Sequence, residues 1–168
     1  ETAVNSAFEE FNKNVVNLDP DRTSKAISSR DWLWGQLNKL DSKENLNFPF
    51  KYEDKHIKFG SFARKTKIRE LDDIDLMFCL TANGATYTLY SSTYYINTPN
   101  AGSRLKNLSD NDILNSRKVV NKLKSALAEV EHYKSAELHS RGEAATLNLL
   151  TYELSLIHIS EPTRPISI

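Results

Sequence analysis

Two aspartates separated by a single residue, Asp73 and Asp75, are the side chains of this sequence best suited to chemistry. They lie in the run LDDIDLMF, whose other residues are mostly apolar and typical of a β-strand. Because successive side chains of a strand point to opposite faces, both carboxylates are expected on one face and Ile74 on the other. Two carboxylates this close repel each other unless cations lie between them, and oxygen ligands suit Mg²⁺ or Mn²⁺. The pair therefore predicts a phosphoryl-transfer site in which both aspartates are catalytic residues and metal ligands.

A Gly-Ser pair precedes the aspartates, directly after a short strand predicted over residues 56–59. Gly60 has no side chain, so a phosphate can approach its backbone, and the Ser61 hydroxyl can bind an anionic group. Arg64 and the basic residues that follow it add positive charge nearby. Each of these motifs alone is weak evidence for a phosphoryl-transfer site, since an isolated Asp-x-Asp is more often a solvated turn. The order of strand, Gly-Ser, basic turn and acid pair is much more specific.

The elements that must position these residues can be read from hydrophobic periodicity. Helices are predicted from Val4, Phe8 and Phe11, over residues 22–40, and from the stripe of Val120, Leu123, Leu127 and Val130. Ser109 and Asp112 give a capping-box signal for the last helix. Strands are predicted over 56–59 and 74–80, a strand or hairpin over 86–96, a loop over 97–108, and a hairpin of 133–139 with 144–150. The fold class expected is α+β, with a mixed sheet packed against helices.

Composition narrows the class of protein. The 168 residues carry 22 basic and 22 acidic side chains, so the zero formal charge offers no global argument for nucleic-acid binding. The only cysteine, Cys79, has no disulfide partner within the chain and suits a reducing compartment, so a cytoplasmic location is expected. The longest apolar runs are far shorter than the roughly 20 residues that cross a bilayer, and no membrane association is expected.

Taken together, GSFARKT and LDDIDLMF resemble the signature of the nucleotidyltransferase superfamily that includes DNA polymerase beta. The closest similarity is to the bacterial relatives of cyclic GMP-AMP synthase and oligoadenylate synthetase, known as CD-NTases or SMODS nucleotidyltransferases. Gly60, Ser61, Thr66, Asp73 and Asp75 fill the places of that signature, and the resemblance extends over about residues 8–153. It implies a polymerase-beta-like core that forms the N-terminal part of a two-lobed enzyme, with residues 1–153 as an incomplete catalytic domain.

The resemblance also implies an activity. Asp73 and Asp75 would bind Mg²⁺, and a nucleoside triphosphate would lie near Gly60, Ser61, Arg64 and Thr66. Members of the family make cyclic di- or oligonucleotide second messengers in anti-phage defence, so regulatory or effector proteins of a defence operon are expected partners. The third acid of the family normally follows the hairpin predicted for residues 133–139 and 144–150. No residue here matches that acid, so little or no turnover is expected of this chain.

The last residues raise a separate expectation. Residues 154–164 read LSLIHISEPTR, which resembles the translation of a transposase sequencing adapter. Residues 154–168 are therefore expected to be adapter read-through rather than native sequence. The alternative is a native apolar strand over 154–159 followed by a Pro-containing tail.

Other functions remain open on the sequence alone. An enzyme of the same fold could transfer nucleotides to RNA or to a protein side chain, as the smaller antitoxin-type nucleotidyltransferases do. A non-catalytic nucleotide- or RNA-binding module would keep the same metal and phosphate ligands. Tyr87, Tyr90, Tyr94 and Tyr95 could stack on bases, although a half-buried strand or a flap explains the same residues.

Overall fold

The computed structural model describes residues 2–12, 19–59, 74–134, 137–141, 144–148 and 155–160. The helices are α1 (Thr2–Phe11), α2 (Pro20–Leu37), α3 (Ser103–Lys106) and α4 (Ser116–Ala128), and single 3₁₀ turns cover Glu44–Leu46, Glu53–Lys55 and Glu131–Tyr133. The strands are β1 (Ile57–Phe59), β2 (Ile74–Cys79), β3 (Thr86–Tyr90), β4 (Thr93–Asn97), β5 (Ser109–Asp110), β6 (Ile113–Leu114), β7 (Glu137–Arg141), β8 (Ala144–Asn148) and β9 (Ser155–Ser160). The predicted α+β class is confirmed. Within the described ranges, no helix has the length and apolar character needed to cross a membrane.

The candidate site belongs to a five-stranded mixed sheet with the strand order β1-β2-β9-β8-β7. β2 runs parallel to β9 and antiparallel to β1, while β8 pairs antiparallel with both β9 and β7. The β7–β8 pair is the hairpin expected from the sequence. α4 contacts both strands of this hairpin, and Trp34 of α2 contacts Phe78 of β2 with 6.2 Å between ring centroids. Helices therefore cover one face of the sheet.

The core lies between these helices and that face of the sheet. Leu33 and Leu37 of α2 are buried, and so are the stripe residues predicted for the last helix, Val120, Leu123, Leu127 and Val130. Burial of such aliphatic side chains contributes about 1.5–3 kcal/mol each. The stripe of α1 differs, because Val4, Phe8 and Phe11 are all more than half exposed.

α2 begins earlier than its apolar pattern indicated. Asp19 caps the helix, since its carboxylate accepts hydrogen bonds from the backbone amides of Asp21 (2.8 Å) and Arg22 (3.0 Å), and Pro20 occupies the first turn. The amide of Arg22, followed by that of Asp21, holds the pKa of Asp19 below its usual value. The cap places the start of the helix two residues before the predicted position.

The predictions for residues 97–114 need correction. The expected loop contains the short helix α3, and Ser109 and Asp112 do not cap a helix. Ser109–Asp110 instead pairs with Ile113–Leu114, and Asn111 and Asp112 form the turn with φ of 50° and 61°. Asn115 caps α4, its Oδ1 accepting from the amide of Lys118 at 3.2 Å.

β3 and β4 form the hairpin that was one of two possibilities for residues 86–96, and they begin a second sheet of order β3-β4-β6-β5. The turn before β3 packs closely on the turn before α3. Gly84 has φ of 90°, and a Cβ there would lie 2.5 Å from the carbonyl oxygen of Asn100. Glycine is therefore required at the base of this hairpin.

β9 lies within the segment predicted to be adapter read-through. Residues 155–160 form a strand between β2 and β8. This pairing follows from the strand propensity of an apolar segment placed beside two strands that need a partner. The assignment of residues 154–168 as non-native stays a prediction.

Candidate functional site

Asp75 is the predicted site residue whose surroundings the structure describes. β2 alternates in burial along its length: Ile74, Leu76 and Phe78 are buried, whereas Asp75 and the other alternate residues are only half-buried. Asp75 therefore lies on the sheet face opposite the helices, as the strand pattern predicted. The apolar residues on either side of it fix the strand in the core.

The antiparallel β1–β2 pair fixes the two ends of the segment that is predicted to bind phosphate. Phe59, the last described residue before Gly60, pairs with Asp75. Described chain on both sides of residues 60–73 therefore meets at one end of the sheet. Gly60, Ser61, Arg64, Thr66 and Asp73 all lie outside the described residues, and their roles stay predictions.

On its other side, Asp75 has a parallel neighbour. It pairs with Leu156 of β9, and Leu156 pairs in turn with Thr146 of β8. Adjacent strands lie about 4.8 Å apart. Position 156 is thus the place in this neighbouring strand closest to the Asp75 backbone, and the carboxylate projects from a backbone that is hydrogen-bonded on both sides.

An aromatic stack behind β2 adds to this rigidity. The His56 ring lies parallel to that of Phe78, with 4.6 Å between centroids and 14° between planes, and the Trp34 ring meets His56 edge-on at 4.9 Å. His56 Nδ1 also accepts a hydrogen bond of 3.1 Å from the backbone amide of Cys79. Sequence reasoning did not identify His56 as a positioning residue. The signal available was an aromatic ring directly before the first strand of the site.

The end of β2 is held by the connector before β1. The amide of Tyr52 donates to the carbonyl of Cys79 at 2.8 Å, and Cys79 Sγ lies within hydrogen-bonding distance, 2.9 Å, of the carbonyl of Lys55. Cys79 is half-buried and lies on the same face as Asp75. These contacts fix the last residue of β2 against the connector.

Ion pairs on the helix side of the sheet join α2 to β1. Lys58 pairs in register with Leu76, and its Nζ lies 3.3 Å from Oδ1 of Asp31 in α2. Arg30 also contacts Asp31, at 2.8 Å. The hydrogen bond from Arg30, and then that from Lys58, lowers the pKa of Asp31. These charges stabilise the contact of α2 with β1.

A carboxylate held rigidly on an otherwise apolar strand is a suitable oxygen ligand for Mg²⁺. Among the described residues, no group of three or more His, Cys, Asp and Glu side chains is placed to hold a metal ion. Asp73, the expected second ligand, is outside that set. The part of the candidate site that the structure describes is therefore Asp75 and the strand framework that orients it.

No known family model matches the chain. Over 151 residues, the chain is 48% identical to a protein of Bacillus cereus (strain VD146) named "probable cyclic nucleotide synthase". The match covers 89% of this chain and 45% of that protein, so the chain spans about half the length of this relative. Identity at this level indicates common ancestry over the matched region.

Proposed function

We propose that this chain is the N-terminal part of a nucleotidyltransferase that joins nucleoside triphosphates into cyclic di- or oligonucleotides. The observation that carries the proposal is the placement of Asp75, half-buried on the sheet face opposite the helices, in a strand that is hydrogen-bonded on both sides. The name of the Bacillus cereus relative supports a cyclic nucleotide product. The pairing of Phe59 with Asp75 supports a phosphate-binding segment beside the acid pair.

In this proposal, Asp75 and Asp73 hold Mg²⁺ or Mn²⁺, and Gly60, Ser61, Arg64 and Thr66 bind the triphosphate. Bound metal would neutralise charge on the phosphates and orient them. An acceptor hydroxyl attacks the α-phosphorus, a new P–O bond forms, and the bond to the β-phosphate breaks with release of pyrophosphate. Asp75 contributes rigidity, since a ligand fixed by its strand loses little order when the nucleotide binds.

The register of β9 supports a location for the third acid. A carboxylate at position 156, or two residues away on the same face, would lie in the strand next to Asp75. In the proposed parent protein, this acid would orient or deprotonate the acceptor hydroxyl. Leucine occupies position 156 here, so we propose that the 168-residue chain has little or no turnover.

We further propose that the product is a second messenger in anti-phage defence and that an effector protein of the same operon binds it. The resemblance of GSFARKT and LDDIDLMF to the family signature supports this assignment. The single cysteine is consistent with action in the cytoplasm.

Product analysis on a full-length protein that contains this chain tests the proposal. The protein is incubated with the four radiolabelled nucleoside triphosphates and Mg²⁺, and products are separated by thin-layer chromatography after phosphatase treatment. Asp75→Asn is expected to reduce product at least about 100-fold, because an amide binds Mg²⁺ far less well than a carboxylate. Asp54→Asn, which alters an exposed acid in the turn before β1, is the matched control and should retain activity. Unchanged product from Asp75→Asn would exclude the proposed role.

The same assay separates the alternative enzymes. Label recovered on RNA or on protein, with no small phosphatase-resistant product, would identify a modifying nucleotidyltransferase instead of a cyclic nucleotide synthase.

Leucine at position 156 favours a second activity for the chain itself, nucleotide binding without turnover. Mg²⁺ with a non-hydrolysable ATP analogue is expected to raise the melting temperature by a few degrees at saturating ligand, because ligand binding stabilises the folded state. Asp75→Asn should abolish this shift and Asp54→Asn should preserve it. A shift that both variants retain would place the nucleotide elsewhere.

A further inference from the structure

β3 is an outer strand of the second sheet, and every one of its five residues is exposed. Tyr87 and Leu89 are each 57% exposed and Tyr90 is 74% exposed. Tyr, Leu and Thr favour strands when they pack against neighbours. Among the described residues, β4 is the only strand that pairs with β3, so one edge of β3 lacks a strand neighbour.

The chain around this edge carries no charge. Residues 76–103 include no Asp, Glu, Lys, Arg or His, although charged residues make up 26% of the sequence. Proteins commonly protect an outer strand from other chains with a charge, a proline or a covering element. β3 has none of the first two within it, and its exposure shows that no described element covers it.

The base of the hairpin is firmly anchored, so β3 is presented as a preformed strand. Thr98, which follows β4, is fully buried, and its Oγ1 hydrogen bonds to Oγ of Ser109 at 2.8 Å. The amide of Thr98 donates to the carbonyl of Asp112 at 2.7 Å, and Gly84 packs on Asn100 as described above. A partner strand would meet little entropic cost in ordering this edge.

Hairpin geometry shows which backbone groups face outward. Ser91 and Ser92 form a two-residue turn with φ of 46° and 68°, so Tyr90 and Thr93 are a hydrogen-bonded pair. Alternation along the ladder then directs the N–H and C=O groups of Thr88 towards β4. The same groups of Tyr87 and Leu89 point away from β4, where a further strand could pair with them.

We propose that β3 pairs antiparallel with β3 of a second copy of this chain, about a twofold axis that passes through Thr88. Two four-stranded sheets would join into one of eight strands. Tyr87 would lie opposite Leu89 of the second copy and Thr88 opposite its own equivalent. Aromatic–aliphatic and Thr–Thr pairs are favourable cross-strand neighbours.

Charge decides between a second copy and other occupants. A strand edge is self-complementary under a twofold axis, and an uncharged edge meets no like-charge repulsion from its own copy. Nucleic-acid binding draws most of its affinity from cationic side chains on phosphates, and residues 76–103 provide none. The exposed tyrosines therefore fit a second copy better than the base stacking that the sequence left open.

The pairing should be weak. The side chains exposed along one β3 edge amount to a few hundred Å² for each copy, below the roughly 800 Å² per partner of a stable complex. We expect dimers in sedimentation velocity at about 0.1–1 mM protein and monomers at about 1 µM.

Leu89→Lys places two like charges in the paired edge and should abolish the dimer. Tyr95→Lys, which introduces the same charge on β4, is the matched control and should leave it intact.

Cysteine cross-linking tests the register. Thr88 would lie opposite its equivalent in a non-hydrogen-bonded pair with Cα atoms about 4.5 Å apart, within the range of a disulfide. Thr88→Cys should cross-link under mild oxidation, whereas Thr86→Cys should not, since its equivalent would be about 13 Å or more away. The unaltered chain measures any background from Cys79, and far-UV circular dichroism confirms that the variants fold.

The proposal fails if the protein is monomeric at 1 mM, if Leu89→Lys leaves a dimer intact, or if the two cysteine variants cross-link equally. A monomer that binds a labelled single-stranded oligonucleotide, with binding lost in Tyr87→Ala, would assign this surface to base stacking instead.

Discussion

Arg104 holds two separate segments of the chain together through backbone carbonyls. Its Nη1 donates to the carbonyls of Asp41 (2.7 Å) and Phe48 (2.8 Å), and its guanidinium lies 4.2 Å from the centre of the Phe50 ring. Arg104 thereby ties α3 to the connector between α2 and β1. In the sequence, Arg104 is the first basic residue after a long uncharged stretch. Its acceptors are backbone carbonyls, so no side-chain pattern in the sequence indicates them.

Arg104→Lys should lower the free energy of unfolding by about 1–3 kcal/mol, because an ammonium group cannot reproduce two hydrogen bonds and the ring contact at once. Urea denaturation measures the change. Lys106→Arg, an exposed exchange in the same helix, is the control and should change stability by less than about 0.5 kcal/mol. Equal effects of the two substitutions would contradict the bridging role.

The burial of Tyr133 predicts that the stability of the fold depends on pH. Its side chain is 3% exposed and packs edge-on against Trp32 at 5.2 Å, and burial raises its pKa well above the usual value of 10.0. Above pH 10 the unfolded chain loses this proton while the folded chain keeps it. Stability therefore falls as pH rises above 10, by about 1.4 kcal/mol per pH unit from this group.

Urea midpoints at pH 9, 10 and 11 measure this alkaline loss. Tyr133→Phe removes the titrating group and should flatten the decline, whereas Tyr90→Phe, at a mostly exposed position, should follow the unaltered protein. A decline that Tyr133→Phe leaves equally steep would mean that other groups cause it.

At the scale of elements, α4 shows where a sequence pattern identifies a helix and misplaces its start. The apolar stripe correctly predicted its buried face, but the capping signal at Ser109 and Asp112 was wrong. Asp110 instead pairs with Lys118 and accepts a 2.6 Å hydrogen bond from Asn115. These two partners, Lys118 first, lower the pKa of Asp110. The residues before Asn115 satisfy their backbone groups in the short β5–β6 pair.

Asn115→Ala should lower the free energy of unfolding by about 1 kcal/mol, because the amide of Lys118 loses its acceptor at the start of α4. Thermal unfolding followed at 222 nm gives the change. Asp112→Asn alters the acid of the capping box that the sequence predicted with Ser109, and it should have little effect. A larger loss of stability from Asp112→Asn than from Asn115→Ala would contradict the assignment of Asn115 as the cap of α4.

Strand faces were predicted well and strand neighbours were not. Alternation within residues 74–80 was enough to separate Asp75 from Ile74, because it depends only on local backbone geometry. Pairing of Asp75 with Phe59 and Leu156 depends on contacts between remote segments, which periodicity does not encode. The contribution of His56 was missed for the same reason, since its partners Trp34 and Phe78 are distant in sequence.

At the scale of the whole molecule, β9 joins the two halves of the main sheet. Without it, β2 and β8 would each lose a partner, and the sheet would divide into β1–β2 and β7–β8. The β2–β9 pair extends over six residue pairs from Ile74–Ser155 to Cys79–Ser160. A strand in this place is therefore a requirement of the fold, whatever the origin of its sequence.

A chain ending at Glu153 should be much less stable than one ending at Ser160. Both lack residues 161–168, so their difference isolates β9. We expect the urea midpoint of the shorter chain to fall by about 1 M or more, since buried β2 residues would be exposed along one edge. Equal midpoints would show that β9 contributes nothing to the folded sheet.

The parallel pairing of β2 with β9 also sets the order of events on the ribosome. Paired positions such as Ile74 and Ser155 are 81 residues apart in the chain, and at roughly 5–20 residues per second several seconds pass before β9 follows β2 out of the exit tunnel. During that interval the apolar β2 segment of the nascent polypeptide lacks one of its two partner strands. Its biosynthesis should accordingly depend on chaperones that shield this apolar segment until β9 has emerged.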